Sequence, residues 1–369
     1  MVGLYIHIPY CHSKCAYCDF YSTPSIKSMV QYVEALLCEI RLRINEIGAD
    51  FKTVYIGGGT PSILPISLLS KIIGEISKYI NVNDLEEFTI EANPEDVTAD
   101  WVKSVLRLGV NRVSMGIQSF NDEELKAINR RHTVEVAFNA IKILRENGIN
   151  QISGDLIYGL PGQDLDSWKQ SLTQLLSLQL PHFSAYLLSY EPGTGLYAKL
   201  MVGKVEEASE ELANEMYQYL IVEARKYGYN HYEISNFALS GCEAIHNTNY
   251  WRNLPYLGIG VSAHSFDGEN RRVNPSNIKS YISQLQQGKC VYEVEEEDAD
   301  ARHNDYIIVS LRTAQGIDLN HYKSKYNYDI LSIAKPHINA GRMVRTDNYL
   351  AIAEKSMLIS DRIMLDFIV

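Results

Sequence analysis

Between residues 4 and 188 the chain alternates short β-rich runs with longer amphipathic ones, and no other feature restricts its fold so strongly. Strands are expected at 4–9, 53–56, 87–92, 112–117, 151–158 and 182–188, and helices at 27–47, 66–79, 98–108, 122–129, 134–147 and 166–178. In the first helical run Val30, Val33, Leu36, Leu37, Ile40 and Ile44 recur at helical spacing. Thr98 stands where an N-cap belongs and Gly148 where a helix stops. No hairpin signal joins neighbouring strands. Each crossing can hold a helix, so the strands should run parallel, as an open sheet or a barrel of the α/β class.

The residues suited to chemistry fall at or just past the C-terminal ends of these strands. Cys11, Cys15 and Cys18 follow the first, and Gly57-Gly58-Gly59-Thr60-Pro61 the second. Glu91, Gln118 and Asp155 close the third, fourth and fifth. In a βα barrel those ends share one face, so residues far apart in sequence should meet in one cleft. Three thiolates on one loop can hold three corners of a cubane iron–sulfur cluster and leave one iron open. A zinc site completed by His7 or His12, or a set of structural thiols, are the other readings; a second cysteine knuckle is missing. The glycine run lacks the spacing of a P-loop or a dinucleotide fingerprint. It lets backbone approach a ligand, or simply makes a tight turn. Glu91 and Asp155 could each accept from a ribose hydroxyl or an ammonium group. Arg130 or Arg131 could meet a carboxylate.

Composition sets the outer limits. The 369 residues suffice for a large domain and a smaller one. A net charge of −11 argues against nucleic acid as a partner. Six cysteines are too few for a disulfide framework, and Cys38, Cys242 and Cys290 are scattered, so a cytoplasmic setting is expected. No apolar run is long enough to span a bilayer, so any membrane association would be transient. Past residue 191 the alternation ends. A long helix is expected at 206–227, an extended segment at 229–236, and loop with short strand at 241–266. Glu293, Glu295, Glu296, Glu297, Asp298 and Asp300 form an acidic run, read as a linker or helix start. Beyond it the chain looks helical, with a strand pair near 343–352. The expected division is a core at 1–235, a connecting segment at 236–298 and a C-terminal domain at 299–369.

The C-x₃-C-x₂-C loop followed by Gly-Gly-Gly-Thr-Pro after the second strand resembles the radical S-adenosylmethionine (SAM) superfamily. The resemblance implies a partial (β/α)₆ TIM-like barrel with a smaller, mainly helical C-terminal domain. It implies a [4Fe–4S] cluster on Cys11, Cys15 and Cys18, with SAM chelating the open iron; the reduced cluster can cleave SAM to a 5′-deoxyadenosyl radical. Tyr5-Ile-His-Ile-Pro9, Ser114-Met-Gly-Ile-Gln118-Ser-Phe120 and Asp155-Leu-Ile-Tyr-Gly-Leu-Pro161 are similar to the branch of oxygen-independent coproporphyrinogen III dehydrogenases and haem chaperones. By that match Tyr5, Tyr17, Gly58, Gly59, Thr60, Glu91, Gln118, Arg130 and Asp155 would contact SAM. Tyr17, Gln118, Arg130 and Asp155 include positions that serve a second SAM molecule in the dehydrogenase.

Three features separate the two siblings. The dehydrogenase has a further cysteine two residues after the third, where this chain has Phe20. It carries a long N-terminal extension, whereas this chain starts at the first strand. His246-Asn247-Thr-Asn-Tyr250-Trp251 matches the H-N-x-x-Y-W motif of the haem chaperones. The resemblance therefore implies a chaperone that binds haem and passes it to acceptor haemoproteins; oxidative decarboxylation of coproporphyrinogen III is the alternative. His246 is the expected axial ligand, since a neutral imidazole suits haem iron. Cys242 is the alternative donor if the segment is helical, and a plain hydrogen-bonded loop is the structural alternative. His264 is expected to line the cleft.

Overall fold

In the computed structural model, which describes residues 2–369 except 49, 291, 297 and 327, the alternation becomes six parallel strands. They are β1 (Val2–Ile8), β2 (Phe51–Gly58), β3 (Glu87–Ala92), β4 (Arg112–Gln118), β5 (Gln151–Tyr158) and β6 (His182–Leu187). Each pairs with the next in chain order. The crossovers hold α1 (Met29–Arg43), α2 (Ile66–Ile76), α3 (Ala99–Arg107), α4 (Asp122–Ala127), α5 (Val134–Glu146) and α6 (Leu165–Ser177). Thr98 does cap α3, its hydroxyl accepting from the Trp101 amide at 3.2 Å.

Period-two alternation curves this sheet around a polar interior. Leu4, Ile6, Ile8, Val54, Ile56, Phe88, Ile90, Val113, Met115 and Ile117 are fully buried and share one core with the apolar faces of α1, α2, α3, α5 and α6. Each such side chain contributes about 1.5–3 kcal/mol on burial. The opposite parity carries His7, Thr53, Glu87, Thr89, Arg112, Ser114, Ser153, His182 and Ser184, also buried. Buried polar groups are tolerable only when paired. Ser153 meets His182 at 2.7 Å, Thr89 donates to Glu87 at 2.9 Å, and Ser184 donates to Asp155 at 2.8 Å.

β1 and β6 do not close on each other. At the β6 edge β8 (Asn236–Ala238) runs antiparallel, with β7 (Asn230–Glu233) beyond it. At the β1 edge β9 (Tyr256–Ile259) runs parallel, followed by the antiparallel β10 (His264–Phe266), β11 (Arg271–Val273) and β12 (Glu293–Glu295). The result is one twelve-stranded sheet and a barrel left open. The stretch 241–266, expected as loop and short strand, holds the helix Ile245–Trp251. This helix plugs the N-terminal end of the arc: the Ile245 amide donates to Glu87 at 2.7 Å, and a Cβ on Gly3 would sit 3.1 Å from the His246 ring. Its inward residues are polar, so apolar periodicity gives no sign of it.

The C-terminal region packs helices Ala299–Leu311, Leu319–Lys325, Ile330–Asn339 and Ser360–Met364 with a small sheet. Its strand β15 (Tyr349–Ile352) lies between β13 (Ile317–Asp318) and β14 (Met343–Arg345), one strand more than the expected pair. Asp298 of the acidic run starts a helix, accepting from the Ala301 amide at 2.8 Å. Glu297 of that run lies outside the described residues. Among the described residues no helix is long and apolar enough to cross a membrane.

Candidate functional site

A cleft of about 440 Å³ opens at the C-terminal ends of β1 to β6. It gathers Cys11, Cys15, Tyr17, Cys18, Phe20, Gly58, Gly59, Thr60, Glu91, Gln118, Arg130 and Asp155. The cysteine loop is held by its backbone. The Cys11 amide donates to Thr23 O at 3.1 Å, Thr23 N to Pro9 O at 2.7 Å, and Ala16 N to Ile128 O at 3.0 Å. All three thiols are free. Neither histidine considered for a zinc set joins them. His7 has both ring nitrogens engaged, by the Tyr5 hydroxyl and by Tyr21 O, each at 3.0 Å. His12 is half exposed and faces Asp96 at 3.9 Å.

The donor set and its surroundings fit a cluster with a chelating cofactor. At Gly58 φ is +115°, and a Cβ there would lie 2.6 Å from the His7 ring. At Gly59 a Cβ would lie 2.6 Å from Tyr10 O, so the glycine run passes directly against the cluster loop. Arg130 is tied to the cleft by three contacts: Nη1 lies 3.5 Å from Cys15 Sγ, and Nη2 donates to Asn93 Oδ1 at 2.8 Å and to Gly116 O at 2.6 Å. Asn93 in turn donates to Thr60 at 3.3 Å. The Arg130 Nε and the Arg112 Nη2 are buried and without a protein partner, as donors awaiting an anionic or carbonyl ligand would be. Gln118 turns the chain at the end of β4 with φ of +69°, a left-handed conformation that costs a non-glycine residue about 1 kcal/mol.

The two carboxylates are buried and held by hydrogen bonds from the protein. Glu91 accepts from the Tyr55 hydroxyl at 2.8 Å and the Gly58 amide at 3.0 Å. Burial still pushes it up to about 7, with Asp155 adding to the effect. Burial likewise raises Asp155 to about 6, against the hydrogen bond from Ser184 and the charge of Arg112. The folded value of Glu91 exceeds its unfolded one, so its contribution is present below about 4.5 and lost as pH rises through about 7. In ligand-free protein, acidifying from about pH 8 to about pH 5 should therefore stabilise the native chain relative to Glu91→Gln, by up to about 1.4 kcal/mol per pH unit within that window. Urea midpoints of both proteins at the two pH values check this; a gap that does not change with pH would disprove it.

Other expected positions are placed differently. Tyr5 lies outside the cleft lining, its hydroxyl on His7 and its ring 6.1 Å from that of Tyr55. Arg131 is half exposed and faces Glu95 at 3.8 Å, leaving Arg130 as the cleft arginine. His264 does not line the cleft: it sits on β10, paired with Val273 near the sheet edge. Cys242 precedes the helix Ile245–Trp251 instead of lying one turn away on it. His246 does not offer a nitrogen to a ligand. It is 1% exposed, its Nδ1 meets the Thr53 hydroxyl at 2.8 Å and its Nε2 the Tyr250 hydroxyl at 2.8 Å. Its ring stacks on Tyr55 at 5.3 Å, beneath Glu91. Tyr55, Arg112, Ser114, Ser153, His182 and Ser184 also line the cleft and were not anticipated. Their shared strand parity with Glu91 and Asp155 was the available signal.

An open βα arc with three free thiols facing a glycine cradle defines the radical SAM class, and residues 5–175 match the model of the Radical SAM superfamily. The chain is 34% identical to the heme chaperone HemW of Bacillus subtilis (strain 168), over 98% of both chains. It is 37% identical to heme chaperone HemW of Escherichia coli (strain K12), over 71% of this chain and 69% of that one. This chain belongs to the HemW family of radical SAM proteins. Among solved structures, coproporphyrinogen III oxidase (HemN) from Escherichia coli superposes with a TM-score of 0.84 over 99% of this chain and 89% of that one. The identity is 24%, so that likeness speaks for the fold.

Proposed function

We propose that the protein is a haem chaperone: it binds haem and passes it to acceptor haemoproteins. The observation that carries this reading is the full-length similarity to a heme chaperone HemW, 34% over 98% of both chains. Phe20 supports it, since the decarboxylating sibling has a cysteine at that place; here the side chain is 66% exposed at the cleft mouth. Cys11, Cys15 and Cys18 would hold a [4Fe–4S] cluster and leave one iron to SAM. Arg130, with its unpartnered Nε, would take the SAM carboxylate. Glu91 and Asp155 would accept from its ammonium or ribose hydroxyls, and Gly58, Gly59 and Thr60 would present backbone. Tyr17 and Gln118 would close the sides, and Tyr5 would support the floor through Tyr55. Bound there in its reduced form, the cluster would be able to supply an electron to SAM, and the residues above would orient the cofactor and exclude water.

We keep the division into a core at 1–235, a segment at 236–298 that joins the core sheet, and a C-terminal domain at 299–369. We place the protein in the cytoplasm, on the ground that its six cysteines are too few and too scattered for a disulfide framework. Any membrane association would be transient, and the acidic charge disfavours nucleic acid. The test has two arms. Anaerobically purified protein mixed with ferric haem should give a saturable haem spectrum and then load an apo-haemoprotein. The same protein with reductant, SAM and coproporphyrinogen III should yield no protoporphyrinogen IX. Absence of haem uptake, or formation of protoporphyrinogen, would overturn the reading.

A further inference from the structure

We infer that the haem sits outside the barrel, in the cavity between the helix Ile245–Trp251 and the C-terminal region, with the imidazole of His321 as its iron donor. This rests on the haem-chaperone reading. The cavity has a volume of about 770 Å³, larger than the cluster cleft. That is within the range of ligand sites, roughly 300–1,000 Å³. One wall is the outer face of the plug helix, with Thr248, Asn249, Trp251 and Arg252; the other carries Tyr306, His321 and Tyr349.

Four observations point to this ligand. The lining supplies flat aromatic surface, from Trp251, Tyr306 and Tyr349, as a porphyrin face requires. It supplies an available imidazole. The His321 ring is exposed, lies 5.4 Å from the Tyr306 ring and has no side-chain hydrogen bond among the described residues. Its backbone is fixed by the Asp318 carboxylate, which accepts from the His321 amide at 3.0 Å. By contrast His7, His182, His246 and His303 engage both ring nitrogens internally. The cavity wall also holds unfilled donors: Asn249, 2% exposed, has no partner for Nδ2, and Trp251 has none for Nε1. Finally, Arg252 is exposed and pairs with no carboxylate among the described residues, so it is free to meet a propionate. Glu86, Glu243 and Asp318 also line the cavity and repel propionates, which directs the charged edge toward Arg252 and water.

The arrangement gives the motif helix two faces. Asn247 lines the cluster cleft, while Thr248, Asn249 and Trp251 line this cavity, so one helix separates the two sites. His246 is the peg that fixes the helix, and the neighbouring residues of the motif contact the cargo.

The test uses the full-length protein and ferric haem. Wild-type protein should give a histidine-ligated haem spectrum. His321→Ala should lose that spectrum while keeping its urea midpoint, and added imidazole should restore it. If wild-type protein takes up haem and His321→Ala shows the same spectrum, the site is elsewhere and the inference falls while the chaperone reading stands. If His321→Ala loses the spectrum, unfolds earlier and is not rescued by imidazole, the effect is structural and the inference also falls. If wild-type protein takes up no haem, the chaperone reading itself fails.

Discussion

Replacement of any one of Cys11, Cys15 and Cys18 by alanine is expected to abolish assembly of the iron–sulfur cluster while leaving the fold in place. A cubane held by three thiolates has no spare protein ligand, and the remaining two leave two irons open. Among the described residues neither nearby histidine offers a substitute: His7 is engaged on both nitrogens, and His12 faces Asp96. The loop's path does not depend on the sulfur atoms, because backbone bonds to Thr23, Pro9 and Ile128 hold it. Iron and acid-labile sulfide measured after anaerobic reconstitution, with far-ultraviolet circular dichroism as the fold control, check the expectation. Cys38→Ala and Cys242→Ala should retain the full iron content. A triplet variant that keeps wild-type iron and sulfide, or a wild-type protein that takes zinc in their place, would refute the cluster assignment.

The cleft was legible in the sequence wherever an unusual residue stood at a strand end. Cys11, Gly58, Glu91 and Asp155 announce themselves by type and position, and parallel βα packing brings them together. Arg112, Ser153 and His182 reach the same cleft from within their strands, and ordinary polar residues at such places read as satisfied interior. Strand parity identifies them, because β3, β4, β5 and β6 put Glu91, Ser114, Ser153 and His182 in direct register. The plug helix was harder. Ile-His-Asn-Thr-Asn-Tyr-Trp has no apolar period, and Ala244 at its N-cap makes no side-chain bond. It folds because Glu87, Thr53 and Tyr55 of the barrel interior await its amide and its imidazole. A segment specified by buried polar partners is invisible to any reading based on hydrophobic spacing. The edge strands β9 to β12 were likewise hidden, since a three- or four-residue run carries too few positions to show a period.

His246→Ala is expected to destabilise the protein by roughly 2–4 kcal/mol, a large share of a domain's roughly 5–15. The substitution removes a ring packed between Gly3, Thr53 and Tyr55, and leaves the Thr53 and Tyr250 hydroxyls unsatisfied in the barrel floor. The pH dependence makes the expectation specific. Burial, aided by the charge of Arg112, lowers His246 from 6.5 to about 3. A depressed folded value means that the unfolded chain binds the proton first. The stabilising contribution is therefore full above about 6.5 and is lost as pH falls toward about 3, at up to about 1.4 kcal/mol per unit. The alanine variant lacks this dependence. His182, whose value burial also lowers, is present in both proteins and cancels in the comparison. The gap between wild type and variant should thus narrow by about 2 kcal/mol from about pH 8 to about pH 5, read from urea unfolding at each pH. An exposed ligand histidine would give neither the large cost nor the narrowing. A gap below about 1 kcal/mol that stays constant with pH would remove the seating role given to His246. A large gap that closes on acidification makes it the residue on which Tyr55, and through Tyr55 the carboxylate of Glu91, is seated.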